Sequence, residues 1–319
     1  MTTTRQEAFL RRFHAERPGV TGEALARGAG PDGRSSYAML GDLVRGAGAV
    51  LDLGCGDGVL LELLAREADA PAGRVLAGVD LSAEALAAAR GRAGVPAGAV
   101  LVQGRGQRLP FADGVFDACV SHLVLMLMGD VERVAAEVAR VLAPGGVFAC
   151  VVGGGAVPGG DDAYGRFQPL LRAAVEALPA ERRIPRLGDP RTRTREGLDG
   201  LLRAAGFGPA AWETVALRLD GTAQEVWGTV SGLYDLAPLS APDTAALRGA
   251  FLAEVAPLAG PDGRVPCVLR VHLVRAAPAS RPPRSGSCSP TPRGTAPRGA
   301  ATTTRGTGRS TRPPRSRPA

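Results

Sequence analysis

Hydrophobic positions in this chain alternate between two rhythms. Short, nearly continuous apolar runs lie at 49–53, 74–80, 100–104, 116–121 and 147–153, and segments of helical periodicity at 58–67, 82–92 and 130–142 lie among them. An apolar run of that length bounded by turn residues reads as a strand buried on both faces. Strands alternating with helices predict a parallel sheet with right-handed crossovers. Ser82 is a natural N-cap for the helix that follows it. Beyond the core, 194–207 reads as a helix stopped by Gly206, and strand six is expected at about 212–219. Residues 222–256 read as two helices broken at Pro238–Pro242, and the last strand is expected at about 265–275. Gly153 to Gly155 and Gly159–Gly160 mark a loose loop. Ahead of the core, Ala8 to Phe13 suggests a short helix broken at Pro18 and Gly19, and Ser36 to Arg45 a second one.

The first apolar run carries the chemistry. It ends in Leu53-Gly54-Cys55-Gly56-Asp57-Gly58, and a helical pattern follows at once. Alternating glycines let the backbone turn sharply and let a ligand approach it, and the helix behind them points N–H groups at the loop. This is a cofactor loop of Rossmann type. A nicotinamide fingerprint needs a glycine at the sixth position, where this chain has Val59. Asp52, just before the loop, would repel a pyrophosphate and attract an ammonium or sulfonium group. The second run, Val75 to Val79, ends in Asp80, 24 residues beyond Gly56. A carboxylate at that place can accept two hydrogen bonds from a ribose diol. A cation, a ribose and no pyrophosphate together describe S-adenosylmethionine.

The strand Val100 to Gly104 comes next, followed by Arg108-Leu-Pro-Phe111, Phe116 to Ser121 and Arg140-Val-Leu-Ala-Pro-Gly-Gly-Val147. With these the chain resembles the class I S-adenosylmethionine-dependent methyltransferases, in their small-molecule branch (a methyltransferase type 11/25-like domain). The resemblance is clear over about residues 45–155 and looser to about 276. It implies an α/β fold, a Rossmann-like doubly wound seven-stranded sheet with the last strand antiparallel. It also implies an N-terminal helical lid over 1–48, a cofactor domain over 49–276 and a helical insertion between strands six and seven at about 220–262. By the same resemblance Asp52, Gly54, Cys55, Gly56, Asp57 and Gly58 cradle the methionine part of the cofactor. Asp80 holds the ribose and Leu81 packs on the adenine. Read from the residues themselves, backbone groups at Gly106 or Gln107 are the candidates to read the adenine edge, and Ser121 is a further cofactor candidate. One departure stands out. The family carries an acid after strand three to receive the adenine amino group, whereas this chain has Gly104-Arg105-Gly106. Arg105 has only donors, and the favoured reading turns it to solvent.

His122, at the end of strand four, is the candidate general base; the alternative is a residue that only lines the wall. Tyr37, His14, Met126 and Trp227 are candidates for the substrate pocket. Trp227 and Tyr234 read equally well as anchors of the inserted helices. His272 has no expected catalytic part. Methyl transfer is an in-line displacement in which position supplies much of the rate, and a base is needed only if the acceptor must lose a proton. After strand four the chain reads Ser121-His122-Leu123-Val124, without the Asn/Asp-Pro-Pro-aromatic run of nucleic-acid amino methylases. The acids of the metal-dependent catechol type and the paired glutamates of the protein arginine enzymes are also missing, so no metal is expected. The expectation is methyl transfer to a small-molecule acceptor through oxygen, nitrogen or carbon, with secondary metabolism as a setting. Two alternatives stay open: an RNA methyltransferase guided by a basic tail, and a non-catalytic module that binds S-adenosylmethionine.

Length and charge refine this picture. A chain of 319 residues can bury one full α/β core with additions. The net charge is +7 and every basic residue is Arg, but nine of them stand in residues 281–319, which hold no acid. Without those nine, residues 1–280 carry a net charge of −2. The stretch 277–319 is nearly all Arg, Pro, Ser, Thr and Gly, cannot bury enough apolar surface to order itself, and has no aromatic residue for base stacking. A disordered extension is favoured over an electrostatic arm, so nucleic acid is a disfavoured partner. No segment is apolar enough to span a membrane, and the N-terminus lacks the apolar core of a signal peptide; a cytoplasmic location is expected. Of the five cysteines, none pairs at metal-site spacing. Cys119, Cys150 and Cys267 are expected to be buried thiols.

Overall fold

Alternation of side chains along the strands sorts the interior into two layers. The computed structural model describes residues 4–279 apart from 18, 20, 21, 23, 24, 184, 186, 233–235 and 237. The strands are β1 (Ala49–Leu53), β2 (Val75–Asp80), β3 (Val100–Gln103), β4 (Phe116–His122), β5 (Leu142–Ala156), β6 (Ala211–Arg218) and β7 (Val268–Ala276). They form one sheet in the order β3-β2-β1-β4-β5-β7-β6. β1 pairs in parallel with β2 and β4, and β7 runs antiparallel to both β5 and β6. Side chains two apart share a face, so Val50, Val120 and Val151 enter one core while Leu51, Leu53, Cys119 and Cys150 enter the other. The sheet is thus doubly wound and α/β, as expected.

Helices cover both faces. On the first lie α2 (Ser36–Asp42), α3 (Val59–Ala65), α4 (Ala83–Gly91), α6 (Ala163–Glu176), α8 (Ala223–Val230) and α9 (Ala241–Val255), through residues such as Leu40, Leu61, Leu86, Phe167, Val226 and Phe251. On the second lie α5 (Val131–Val141) and α7 (Arg195–Ala204), whose buried stripes include Val134, Val138 and Leu198, Leu202. The N-terminal helix α1 (Arg5–Glu16) stands apart from both cores. Its Phe9, Leu10 and Phe13 pack on Leu127, with Leu81 and Met126 alongside. A capping box of Thr4 and Glu7 starts α1, and Ser82 caps α4 by accepting from the Ala85 N–H.

Four expectations need correction. The fifth strand is Leu142–Ala156, longer than the expected 147–153. Its Pro-Gly-Gly segment lies where the pairing with β4 shifts between Phe116 and Ala118. The triple glycine is strand and not loop, because Gly153 and Gly155 find partners in Val271 and Arg270 of β7. A helix, α6, occupies 163–176, where none was expected. Asp162 caps it by accepting from the N–H groups of Tyr164 and Gly165. Finally, Arg264–Val265 pairs with Gly221–Thr222 as a separate small ribbon, so the last strand of the main sheet starts at Val268. Among the described residues no helix is long and apolar enough to cross a membrane. The expected tail from residue 280 onward and Tyr234 lie outside the described residues.

Candidate active site

The strand order reverses between β1 and β4, the place where open α/β sheets leave a crevice outside the carboxyl ends of their strands. A cleft of about 130 Å³ opens there, walled by the ends of β1, β2, β3 and β4 and by residues of α1.

The glycine loop forms its floor. Gly54, Gly56 and Gly58 all have positive φ (77°, 53° and 84°), which only glycine adopts freely. At Gly54 a Cβ would fall 2.4 Å from Cγ1 of Val124, whereas a Cβ on Gly56 would meet no atom within 4 Å. The N–H groups of Gly54 and Cys55 both donate to the Val79 carbonyl, at 2.7 and 3.1 Å. That of Gly56 donates to Asp80 Oδ2 at 2.9 Å. These donors are turned back into the protein, so the loop does not cradle an anion. The lining agrees, because Asp52, Asp57 and Asp80 all face the cleft.

The three carboxylates differ. Asp52 is buried, and no hydrogen bond reaches its carboxylate among the described residues. Burial, reinforced by the charges of Asp80 and Asp57, pushes it up to about 8. Asp57 is tied to the Arg92 guanidinium, which also donates from Nε to the Asp57 carbonyl at 2.8 Å. Asp80 accepts from Gly56 through Oδ2 and from the Ser82 N–H through Oδ1, each at 2.9 Å. Each oxygen keeps a further lone pair for a ligand. Cys55 turns inward: a Cβ on Gly78 would lie 2.7 Å from its Sγ, and burial pushes its thiol well above the ordinary range.

His122 closes the cleft beside β1. Its Nε2 is 2.9 Å from Ser36 Oγ, its ring stacks on Tyr37 at 3.7 Å between centroids, and its Nδ1 is buried without a hydrogen-bond partner among the described residues. Burial holds its pKa down at about 3. The next residue, Leu123, has φ 56°, a conformation that costs a non-glycine residue roughly 1–2 kcal/mol. That turn presents Val124 to Gly54. His14, on α1, also lines the cleft. Burial lowers its pKa while Asp80 and Asp57 pull the other way.

Most of the expected site residues come together here: Asp52, Gly54, Cys55, Gly56, Asp57, Asp80, Leu81, Gly106, Gln107, His122, Tyr37 and His14 all line the cleft. Four do not. Gly58 is the N-cap of α3. Ser121 is buried beneath the cleft and donates to the Leu53 carbonyl at 3.0 Å. Met126 packs with Leu127 beside α1, and its Sδ accepts from the Gly153 N–H. Trp227 belongs to the core, its ring 6.3 Å from Phe167 and 5.6 Å from Phe251. Arg105 does not turn to solvent either. It lines the cleft and pairs with Glu7 of α1 at 2.9 Å. Glu7 was not among the expected residues, because nothing in a first-turn acid of a helix signals a partner so distant in the chain.

Residues 51–150 match the family model described as a methyltransferase domain. The chain is similar to a malonyl-[acyl-carrier protein] O-methyltransferase of Geobacter sulfurreducens, 31% identical over 161 residues, which are 50% of this chain and 55% of that protein. It is also similar to a demethylmenaquinone methyltransferase of Corynebacterium kroppenstedtii, 40% identical over 97 residues, 30% of this chain and 38% of that one. The chain thus spans about half or less of the length of these relatives. Among solved structures, the [4+2]-cyclase SpnF shares the fold, with a TM-score of 0.51, 22% identity and coverage of 87% of this chain and 97% of its own.

Proposed function

We propose that this chain, whose residues 51–150 match a methyltransferase domain, is a class I S-adenosylmethionine-dependent methyltransferase that methylates a small-molecule acceptor at oxygen, nitrogen or carbon. The observation that carries this reading is the acidic cleft over a glycine loop in which the N–H groups of Gly54, Cys55 and Gly56 are already engaged. Such a site favours a cationic ligand over a phosphate. Asp52 fits that role best: it is buried, without a hydrogen bond among the described residues, and held protonated by its surroundings. A cation beside it would favour the ionised form. The open space over Gly56 leaves room for a ligand backbone.

S-Adenosylmethionine, when bound, supplies a methyl group activated on a positively charged sulfur. The chain supplies position and electrostatics. Asp52 ionises and neutralises an ammonium group. The remaining lone pairs of Asp80 accept from two ribose hydroxyls. Helix α1 acts as a lid, covering the cleft with Leu10 and His14 and excluding water. His122 stays neutral at physiological pH, and with its pKa near 3 it is a weak base. We assign it the orientation of the acceptor, together with Tyr37 and Ser36, and not the removal of a proton. Replacing His122 by Ala then lowers the transfer rate more than cofactor affinity.

The acceptor class has two supports. The names of the relatives above specify a carrier-bound malonyl group and demethylmenaquinone, neither a nucleic acid. Residues 1–280 are also slightly acidic, which disfavours a polyanionic substrate. The test is calorimetry of the purified full chain with S-adenosylmethionine and its demethylated product, followed by labelled-methyl transfer across a panel of metabolite extracts. Binding that is lost in Asp80→Ala, with label appearing in a small molecule, supports the proposal. No binding of either compound overturns it.

A further inference from the structure

Beyond Asp80 the cleft changes character. Leu81 follows directly, the segment Gly104 to Gln107 forms the opposite wall, and α1 closes over both. A flat nucleobase needs apolar contact on its faces and a polar partner along one edge. Leu81, Leu10 and Met128 supply apolar surface. The polar edge is the ion pair of Glu7 and Arg105, whose side chains are only 16% and 17% exposed. One partner can only accept hydrogen bonds and the other can only donate them. An adenine edge has the matching pattern, an exocyclic amine donor beside a ring-nitrogen acceptor.

We infer that Glu7, oriented by Arg105, is the acceptor that reads a 6-aminopurine at this end of the cleft. The inference rests on the cofactor reading above and adds the residue that makes it selective for the base. Both interactions of Glu7 run through Oε2, which takes the Thr4 N–H at 3.0 Å and Nη2 of Arg105 at 2.9 Å. Lone pairs of Oε1 are left for the amine. The other acids of the cleft have parts of their own: Asp80 is assigned to the ribose and Asp52 to the ammonium group, while Asp57 is held by Arg92. Arg105 offsets the charge of a carboxylate that would otherwise be costly to cover, and it fixes which way that carboxylate faces. The donor-only side chain after β3 is therefore one half of the base-reading device, and the acid arrives from the lid.

The test compares two ligands on the full chain by calorimetry: S-adenosylhomocysteine, and its analogue with hydrogen in place of the 6-amino group. The wild type should prefer the amino form by about tenfold or more, as expected for a hydrogen bond to a charged acceptor. In Glu7→Met that ratio should fall to about one, and in Glu7→Gln, which keeps an acceptor oxygen, only partway. A Glu7 that merely docks α1 would weaken both ligands by the same factor and leave the ratio intact, and that result overturns the inference. Should Glu7→Met fail to fold, the ratios of Glu7→Gln and Arg105→Met decide: a ratio below the wild-type value supports the inference, and an unchanged one overturns it. If the wild type binds both ligands equally, the inference falls and the cofactor reading survives. If it binds neither, both fall.

Discussion

Asp52 and Asp80 stand at the ends of neighbouring parallel strands, and the second makes the first harder to ionise. Burial is the larger cause, and the charge of Asp80 adds to it, followed by that of Asp57; together they bring Asp52 to about 8. Asp80 itself is held by two backbone N–H donors. Asp52 therefore enters neutral solution protonated.

Cationic ligands should release a proton as they bind. Below pH 8 the empty cleft holds Asp52 protonated, and a cation at its side favours the carboxylate. Affinity for S-adenosylhomocysteine should rise from pH 6 to pH 8 and then level off. Calorimetry in two buffers of different ionisation enthalpy measures the proton released. The release should disappear in Asp52→Asn, and equal release by variant and wild type would clear Asp52 of this role.

The same acid should destabilise the ligand-free fold. Its folded value of about 8 lies above the ordinary 3.8, so the folded state holds the proton more tightly than the unfolded chain does. That contribution is full below pH 3.8 and is lost as pH rises towards 8. Asp52→Asn removes the titration. Its melting temperature should exceed that of the wild type, by more at pH 8 than at pH 5, while ligand binding is lost. Thermal scans at the two pH values read the difference.

His122 should shape the acid limb of stability. Its folded value of about 3 lies below the ordinary 6.5, so its contribution is full above pH 6.5 and is lost as pH falls towards 3. Urea midpoints of the wild type should drop more steeply between pH 6.5 and 4 than those of His122→Gln. Parallel slopes would show that the imidazole is not held neutral.

Glycines of the loop should separate stability from binding. Gly54→Ala places a Cβ 2.4 Å from Val124 at φ 77°, and should destabilise the fold by about 3 kcal/mol, from strain and overpacking together. Gly56→Ala, at φ 53° with nothing within 4 Å, should cost only about 1 kcal/mol. Its methyl nevertheless enters the space over the loop, so binding should weaken at least tenfold. Chemical denaturation and calorimetry on the two variants distinguish the effects.

Local patterns made β1, the loop, β2 and Asp80 legible in the sequence, because an apolar run, a glycine turn and an acid at a fixed spacing are all contiguous signals. Helix α6 was not legible. Pro169 lies inside it and removes a backbone donor, and the helix is held by Phe167 and Leu171 buried against distant α8 and α9. The pairing of Arg105 with Glu7 was hidden for a related reason: the two residues meet only when α1 folds over the end of β3. Trp227 had two readings of equal weight. Only packing could decide between them, because an aromatic residue at helical spacing suits a core and a pocket alike.

That packing leads to the last expectation. Trp227 is buried between Phe167 and Phe251, with ring geometries that are tilted or edge-to-face. Such pairs add to the burial energy of the ring. Trp227→Ala should destabilise the fold by about 3–5 kcal/mol. The residue lies on the inserted helix α8, with its ring against Phe167 of α6 and Phe251 of α9, and is not part of the cleft wall, so cofactor affinity measured well below the melting temperature should change less than twofold. A large loss of affinity in a variant that still melts cooperatively would return Trp227 to the pocket.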